Sequence, residues 1–469
     1  MHKLLTMMTG ILLTGASAWA AENDAAQRRT DWFKDAQWGV STRYLITDKD
    51  KGMSAEEWNK RVDAFDVPGL AKQLEATGCR YYVITLGQNS GHFCSPNAAY
   101  DKYAGIQPSK CSKRDLVADI HAALAPKGIK LMLYLPCQTP YGDPVAQKGF
   151  GLPQGAKDQP IDEAFAKKWA EVIQEWSKRY GKNVVGWWFD GAYGTVSSSL
   201  PQGTNVVGRW FDGAYGGCRW HSFFNEAIAR IYADAVRSGN PDSITTFNSG
   251  IGMRKGTDAE DYTAGEINDA AWVECEGRWL DGKQWHMLSY LGPRWCASPP
   301  RFSDEAVIEM TRNIIKNEGV VTWDVPIQPS GLIPEPFVKQ LTAVREGLTK
   351  PAAPIIPVPP GNLAYRNKRA KLLDVTGTKE LSANHDGKDV ARRGVDNDAT
   401  TIARAAGEYA WTYHVDLGAV HPLNRVVITF DKDQFATEYK VNLSADGQTW
   451  TTVAHVEDAT GGKPEVSAL

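Results

Sequence analysis

The chain has 469 residues, 42% of them hydrophobic, enough apolar material for a sizeable core and for more than one domain. Its formal net charge of −3 gives no electrostatic case for binding nucleic acid. The N-terminal apolar run is too short to span a membrane, and no later stretch reaches the roughly 18 uninterrupted apolar residues that a span requires. Residues 1–20 read instead as an export signal: Lys3 opens it, an apolar run extends through Leu13, and Ala18, Trp19 and Ala20 supply the cleavage region. The mature protein is therefore expected to be exported, periplasmic or secreted. The seven cysteines show no close pairing of the kind zinc sites use. Export permits disulfides, and the odd count leaves at least one thiol free or paired outside the chain.

From about residue 31 to 348, short apolar strands alternate with amphipathic helices, the pattern of a parallel βα fold. A first strand is predicted over 38–45. A helix over 68–77, closed by Gly78, leads to a strand over 80–86 (RYYVITL). Leu116, Val117, Ile120 and Leu124 share one helical face, and Gly128 leads from that helix into a strand over 129–135. A helix over 162–180 runs directly into NVVGWWFDGAY at 183–193, which recurs as NVVGRWFDGAY at 205–215. Beyond it come a helix starting near Trp220, a strand over 243–247, a helix over 304–317, a strand over 319–323 and a helix over 335–348. The count approaches eight units and predicts a TIM-like (β/α) barrel over 21–349. A proline-rich linker, 350–361, follows. Residues 362–469 change texture to short alternating strands at 411–417, 424–430, 439–444 and 450–455, the last two joined across Asp446 and Gly447. They read as a β-sandwich, a jelly-roll module, that stops without a final strand and is incomplete.

An apolar strand ending in an acid and a glycine delivers one carboxylate to the C-terminal edge of a barrel, where catalytic groups sit. Only one copy of the repeat can occupy that position. The second places Arg209 where the first has Trp187, and a charge in a strand buried on both faces is costly. Asp190 is therefore favoured as the working acid, with Asp212 as the alternative register and a simple helix-capping Asp as the bland one. No phosphate-cradling glycine motif, HExxH or Ser-His-Asp setting is evident. Acids and aromatics at strand ends remain, which is the equipment of glycoside hydrolysis. The second acid is expected within 258–276, which holds Glu260, Asp261, Glu266, Glu274 and Glu276.

Read together and in order, WFKDAQWGV at 32–40, Glu57 with Trp58, GCRYYVIT at 78–85, RDLVADI and GIKLMLYL within 114–135, WFDG, Asn248, DYTAGE at 261–266 and SGLIPE at 330–335 resemble glycoside hydrolase family 29, the retaining α-L-fucosidases. The resemblance implies a cofactor-free exo-glycosidase acting on terminal α-L-fucosyl or related residues of glycans. It implies Asp190 as nucleophile and Glu266 as acid/base, with Glu274 as the alternative acid/base. The accompanying substrate-binding set is Arg43, Glu57, Trp58, Gln88, Asn89, Tyr134, Trp188 and Asn248.

Two departures from the family pattern alter the expected specificity. Arg43 stands where the family usually has a first-strand histidine, and Gln88 and Asn89 stand for a His-His pair that binds sugar in the family. The three replacements predict weak activity on simple aryl fucosides and better activity on a substrate that gives Arg43 an anion. A salt bridge from Arg43 to a barrel acid is the other reading. The rival functions are a catalytically silent glycan-binding protein on the same barrel and a hydrolase for a different, anionic sugar.

The C-terminal pieces NLAY at 362–365, VDNDATT at 395–401, VDLG at 415–418, NRVVI at 424–428 and LSADGQTW at 443–450 resemble the discoidin-like, coagulation-factor type galactose-binding modules. That resemblance implies a structural calcium held through Asp398, Thr401 and backbone oxygens, with a plain Asx-rich turn as the alternative.

Overall fold

The computed structural model describes residues 25–45, 50, 52–88, 90–137, 142–152, 162–192, 224–268, 270, 273, 275, 277–350, 361–365, 370–378, 390–396, 402–403, 410–432 and 435–468. The chain divides into two compact units, Met1–Ala352 and Ala353–Leu469, so the division falls within the expected linker.

In the first unit, strands β1 (Trp38–Thr42), β2 (Tyr81–Thr85), β3 (Lys130–Pro136), β4 (Val184–Asp190), β5 (Ile244–Phe247), β8 (His286–Tyr290) and β9 (Val320–Val325) form one parallel sheet in the order β5-β4-β3-β2-β1-β9-β8. A small hairpin of β6 (Trp279–Leu280) and β7 (Lys283–Gln284) precedes β8. Residues 261–267 occupy the gap between β5 and β8 without forming a regular strand. The Asp261 N–H donates to the Thr245 carbonyl (2.8 Å) on one side. On the other side Thr263 N–H donates to the Gln284 carbonyl (3.1 Å), Leu288 N–H to Gly265 (2.8 Å) and Ile267 N–H to Leu288 (2.9 Å). This segment makes the eighth stave and closes a TIM-like barrel. Gly265 is required there: its φ is +60°, and a Cβ would stand 1.8 Å from the His286 carbonyl oxygen.

Helices α1 (Asp31–Ala36), α2 (Ala55–Asp63), α3 (Val67–Thr77), α4 (Ala98–Ala104), α5 (Leu116–Leu124), α6 (Pro144–Phe150), α7 (Glu163–Tyr180), α8 (Glu226–Arg237), α9 (Asp304–Lys316) and α10 (Glu335–Thr349) complete this unit. Most begin at a side chain that accepts from the otherwise unpaired N–H groups of the first turn, as Asp115 does for Ala118, Asp162 for Phe165 and Asn225 for Ile228. The apolar faces of the helices pack on the outside of the barrel. The inside is filled by Tyr81, Met132, Trp188, Ile244, Tyr262 and Leu288, and Phe33 of α1 is buried against Tyr81 and Tyr262 at 5.1 and 4.9 Å between ring centroids. Gly39 of β1 admits the Tyr81 ring, since a Cβ there would stand 2.4 Å from it.

Among its described residues the second unit holds three antiparallel pairs, β10 (Ala370–Asp374) with β11 (Trp411–Val415), β12 (Arg425–Thr429) with β15 (Pro464–Ala468), and β13 (Tyr439–Leu443) with β14 (Thr451–Val456). Asp446 caps the β13–β14 turn, accepting from Gln448 N–H (2.8 Å) and Thr449 N–H (2.7 Å). The expectation that no strand follows the Gly-Gly loop is corrected: Pro464–Ala468 pairs along the whole of β12.

Asp261 fastens the closing stave from its N-terminal end. Its carboxylate is wholly buried and accepts from Arg29 Nη2 (2.7 Å), Arg237 Nη2 (3.0 Å) and the Thr245 N–H (2.9 Å). Replacing the carboxylate by an amide leaves two partly buried guanidinium groups without their counter-charge, and breaking such a pair is expensive. Asp261→Asn is expected to destabilise the fold by about 3 kcal/mol, read as a lower urea midpoint with an unchanged slope.

Candidate active site

Asp190 is the last residue of β4, and its carboxylate is held from two neighbouring strands. Tyr134, level with Trp188 in the β3–β4 register, donates its hydroxyl to Asp190 Oδ2. Asn248, directly after β5, donates Nδ2 to Asp190 Oδ1 (3.0 Å) and also to Glu266 Oε2. The Asn248 carbonyl oxygen accepts the Gly250 N–H (3.0 Å), and its own backbone N–H donates to Phe189 (2.8 Å). The amide therefore has one orientation, with its nitrogen turned to the two acids. Glu266 reaches them from the closing stave, one residue after the glycine that lets that stave turn.

The site is buried, which makes its charges interdependent. Burial, and then the nearby charge of Asp190, push the Glu266 carboxyl up to about 7, while Arg43 and the Asn248 hydrogen bond pull the other way. At neutral pH Glu266 is thus poised to hold or release a proton. Burial likewise pushes Asp324, on β9, up to about 6 against the opposing pull of Arg43 and the Ser41 hydroxyl. Burial by itself lowers the Arg43 pKa, but Tyr134, Asp324, Asp190 and Glu266 outweigh it and raise the guanidinium pKa. Arg43 Nε lies 3.7 Å from Asp324 Oδ2, and the guanidinium carbon stands 4.1 Å from the Trp295 ring centroid and 5.6 Å from that of Tyr134.

The structure therefore brings together Asp190, Glu266, Asn248, Tyr134, Arg43 and Gln88, whose Nε2 donates to the Tyr134 hydroxyl (2.9 Å). Trp188 belongs beneath the site: it is buried, stacks on Tyr134 at 5.2 Å and donates its indole N–H to the Ala264 carbonyl (3.2 Å). Two expected contacts are placed elsewhere. Glu57 is exposed and closes a capping box with Ser54, accepting the Ser54 N–H (2.8 Å), because a Glu at the third position of a helix suits that role. Trp58 is buried in the core with its indole N–H on the Phe93 carbonyl (2.9 Å). Glu260 and Asp261, acids of the same stretch as Glu266, are buried away from the pair, Glu260 accepting the Gly256 N–H (2.8 Å). Asp212, Glu274, Asn89, Asp398 and Thr401 lie outside the described residues. Among the described residues no group of three His, Cys, Asp or Glu side chains is arranged to hold a metal ion.

Asp324 and Trp295 are the members of the site that the sequence reading passed over. The signal for Asp324 was present: VVTWD at 320–324 is an apolar run ending in an acid, like VVGWWFD, but the expected strand stopped one residue short. Trp295 follows β8, a stave missed because His286 and Ser289 interrupt its apolar run.

Comparison with known proteins fits this geometry. The family model for Alpha-L-fucosidase matches residues 8–350. The chain belongs to the alpha-L-fucosidase family, a family of glycoside hydrolases. A second model, the NedA-like galactose-binding domain, matches residues 393–468. No curated protein matches the chain. Among solved structures it is similar to the endo-fucoidan hydrolase MfFcnA4 of glycoside hydrolase family 107, with TM-score 0.52 and 16% identity over 71% of this chain and 55% of that one. It is also similar to MfFcnA9 of that family, with TM-score 0.51 and 16% identity over 70% and 65%. The α-L-fucosidase AlfC of Lactobacillus casei aligns with TM-score 0.46 and 15% identity over 68% and 97%. The chain thus spans just over half the length of MfFcnA4, and at these identities the likeness establishes the fold alone.

The raised Glu266 has a consequence for stability. An acid near 7 in the folded chain and at its ordinary 4.5 when unfolded binds its proton more tightly in the fold, so its contribution is complete below about 4.5 and lost as pH rises through about 7. Glutamine imitates the protonated form at every pH. Glu266→Gln is therefore expected to match the wild-type Tm near pH 4.5 and to melt higher at pH 8, with a stability gain there of on the order of 3 kcal/mol; equal melting temperatures at pH 8 would contradict this.

Proposed function

We propose that the protein is an exported, retaining, exo-acting glycosidase of the α-L-fucosidase type. In the first step an Asp190 oxygen bonds to the anomeric carbon as the bond to the leaving oxygen breaks, and Glu266 gives its proton to that oxygen. In the second, Glu266 takes a proton from water as the water oxygen attacks the same carbon and releases Asp190. Protons and electron pairs balance within the two carboxyl groups, so the reaction calls for no cofactor.

The observation that carries this reading is the Asn248 amide shared by both acids. Two oxygens within hydrogen-bond reach of one nitrogen are at most roughly 6 Å apart. That separation suits direct attack by a carboxylate, for which about 5 to 5.5 Å is usual, and is shorter than the roughly 6.5 to 9.5 Å that leaves room for an interposed water. Burial supports the division of labour, since it favours the proton on Glu266. Export rests on the pattern of residues 1–20, and exo-action on the family.

The Arg43–Asp324 contact bears on the substrate. The barrel already supplies counter-charge to Arg43, which supports a neutral sugar over an anionic one. With Gln88 engaged on Tyr134, the two described replacements serve the framework around Asp190, and the loss of family histidines should still lower efficiency on simple aryl fucosides.

The direct test is a panel of aryl fucoside, galactoside and uronide with the wild type. The fucoside should be cleaved with retained anomeric configuration and the uronide should be no better; inversion would exclude Asp190 as nucleophile. Asp190→Asn should lower turnover by roughly 10³-fold or more, while Asp212→Asn should retain it. On a dinitrophenyl fucoside, Glu266→Ala should keep the first step, slow the second and recover with azide. Recovery in Glu274→Ala alone would move the role there. Release of fucose oligomers from fucoidan, in place of single residues, would replace exo- by endo-action.

A further inference from the structure

We propose that Asp324 is a positioning residue of this site: from the last barrel strand it anchors the Arg43 guanidinium over Trp295 and beside Tyr134, and so sets the charge balance of the two reacting carboxylates. The inference deepens the reading of the same site given above and rests on it for its catalytic meaning.

The geometry is a relay across four staves. β1 and β9 are paired in parallel, with Ser41 level with Asp324, so the end of β1 delivers Arg43 to the end of β9. Asp324 accepts the Ser41 hydroxyl (3.1 Å), which fixes the carboxylate, and the Arg43 Nε stands 3.7 Å away. A guanidinium tethered at its Nε edge and lying over an indole has few orientations left. The Leu291 N–H donates to the Asp324 carbonyl (3.0 Å), so the same residue ties down the segment that carries Trp295. Arg43 then faces Tyr134, whose hydroxyl is on Asp190.

Among the described residues, the charged groups that act on Glu266 are Asp190 from β4, Arg43 from the end of β1 and Asp324 from β9, while Tyr134 from β3 acts on Arg43 and the Cys296 thiol faces Arg43 and Asp324. Asp324 acts on Glu266 by two routes of the same sign. Its negative charge disfavours a second negative charge on Glu266. By holding Arg43 it also keeps part of the cation's stabilisation away from Glu266. Removing the Asp324 charge should therefore weaken the hold of Glu266 on its proton, and removing Arg43 should strengthen it. A residue that only supported the fold would not give opposite shifts in the two variants.

The test reads Glu266 without substrate. Protein labelled with ¹³C at glutamate carboxyls is titrated by NMR, with the Glu266 signal assigned by its loss in Glu266→Gln. Asp324→Asn should lower the Glu266 midpoint by roughly half to one pH unit, and Arg43→Met should raise it. In the active enzyme the alkaline limb of the kcat/KM profile should move with each. An unchanged midpoint in Asp324→Asn overturns the proposal. Should that variant not fold, Arg43→Met decides: an upward shift supports the coupling and an unchanged midpoint overturns it. Inactivity of the wild type on every glycoside would refute the proposed function and leave the NMR result to judge the coupling.

Discussion

Two carboxylates in one water-poor pocket cannot both carry charge cheaply, and the architecture of the barrel mouth follows from that. At about 4 Å, two unit charges repel by about 4 kcal/mol at the effective dielectric of a protein site. The chain does not avoid the conflict by separating the acids. It fastens them to the same amide, Asn248, and burial with the charge of Asp190 pushes one of them, Glu266, up to about 7. Asp190 receives a phenol and an amide, whereas Glu266 receives the amide and is pushed up by burial and by the charge of Asp190. Two side chains of nearly equivalent chemistry are thereby placed in different environments.

Those donors stay in place because they are themselves supported. Tyr134 is stacked on Trp188 and receives the Gln88 amide, and Trp188 is pinned through its indole N–H to the closing stave. Tyr134 and Trp188 thus act from within the barrel interior, where their rings fill space and their polar atoms reach backbone or side-chain partners.

Much of this was legible in the chain. Apolar runs of β-branched and aromatic residues marked β2, β3 and β4, as expected of parallel strands buried on both faces, and glycines marked the helix ends. Asp190 could be read from the end of such a run. The staves built from polar segments were not legible. His286 of β8 hydrogen-bonds the Thr263 carbonyl and Thr322 inside the barrel, so its polarity is satisfied by residues distant in sequence, and nothing local announces a strand. Glu57 and Trp58 show the converse. Their chemistry suited a sugar site, but a helix cap and a core cavity competed for them, and those interactions depend on the fold.

The placement of Glu266 depends on the same irregularity that hid its stave. A regular strand over 261–267 would continue the ladder on both sides and hold each side chain alternately inside and outside the barrel. The observed segment joins β5 mainly near Asp261, where the buried ion cluster secures it, and follows β8 thereafter with Gly265 in a left-handed conformation. Being released from β5 leaves the space that Asn248 enters, and the turn at Gly265 carries Glu266 to that amide. An alanine at 265 would press on the His286 carbonyl and displace the stave, so the glycine serves the chemistry through backbone position alone. The ion cluster at Asp261 therefore clamps the stave at the end away from Glu266. The end that bears Glu266 is held by the bridge to Leu288 and by the shared Asn248 amide, so the second carboxylate is itself part of what keeps the barrel mouth assembled.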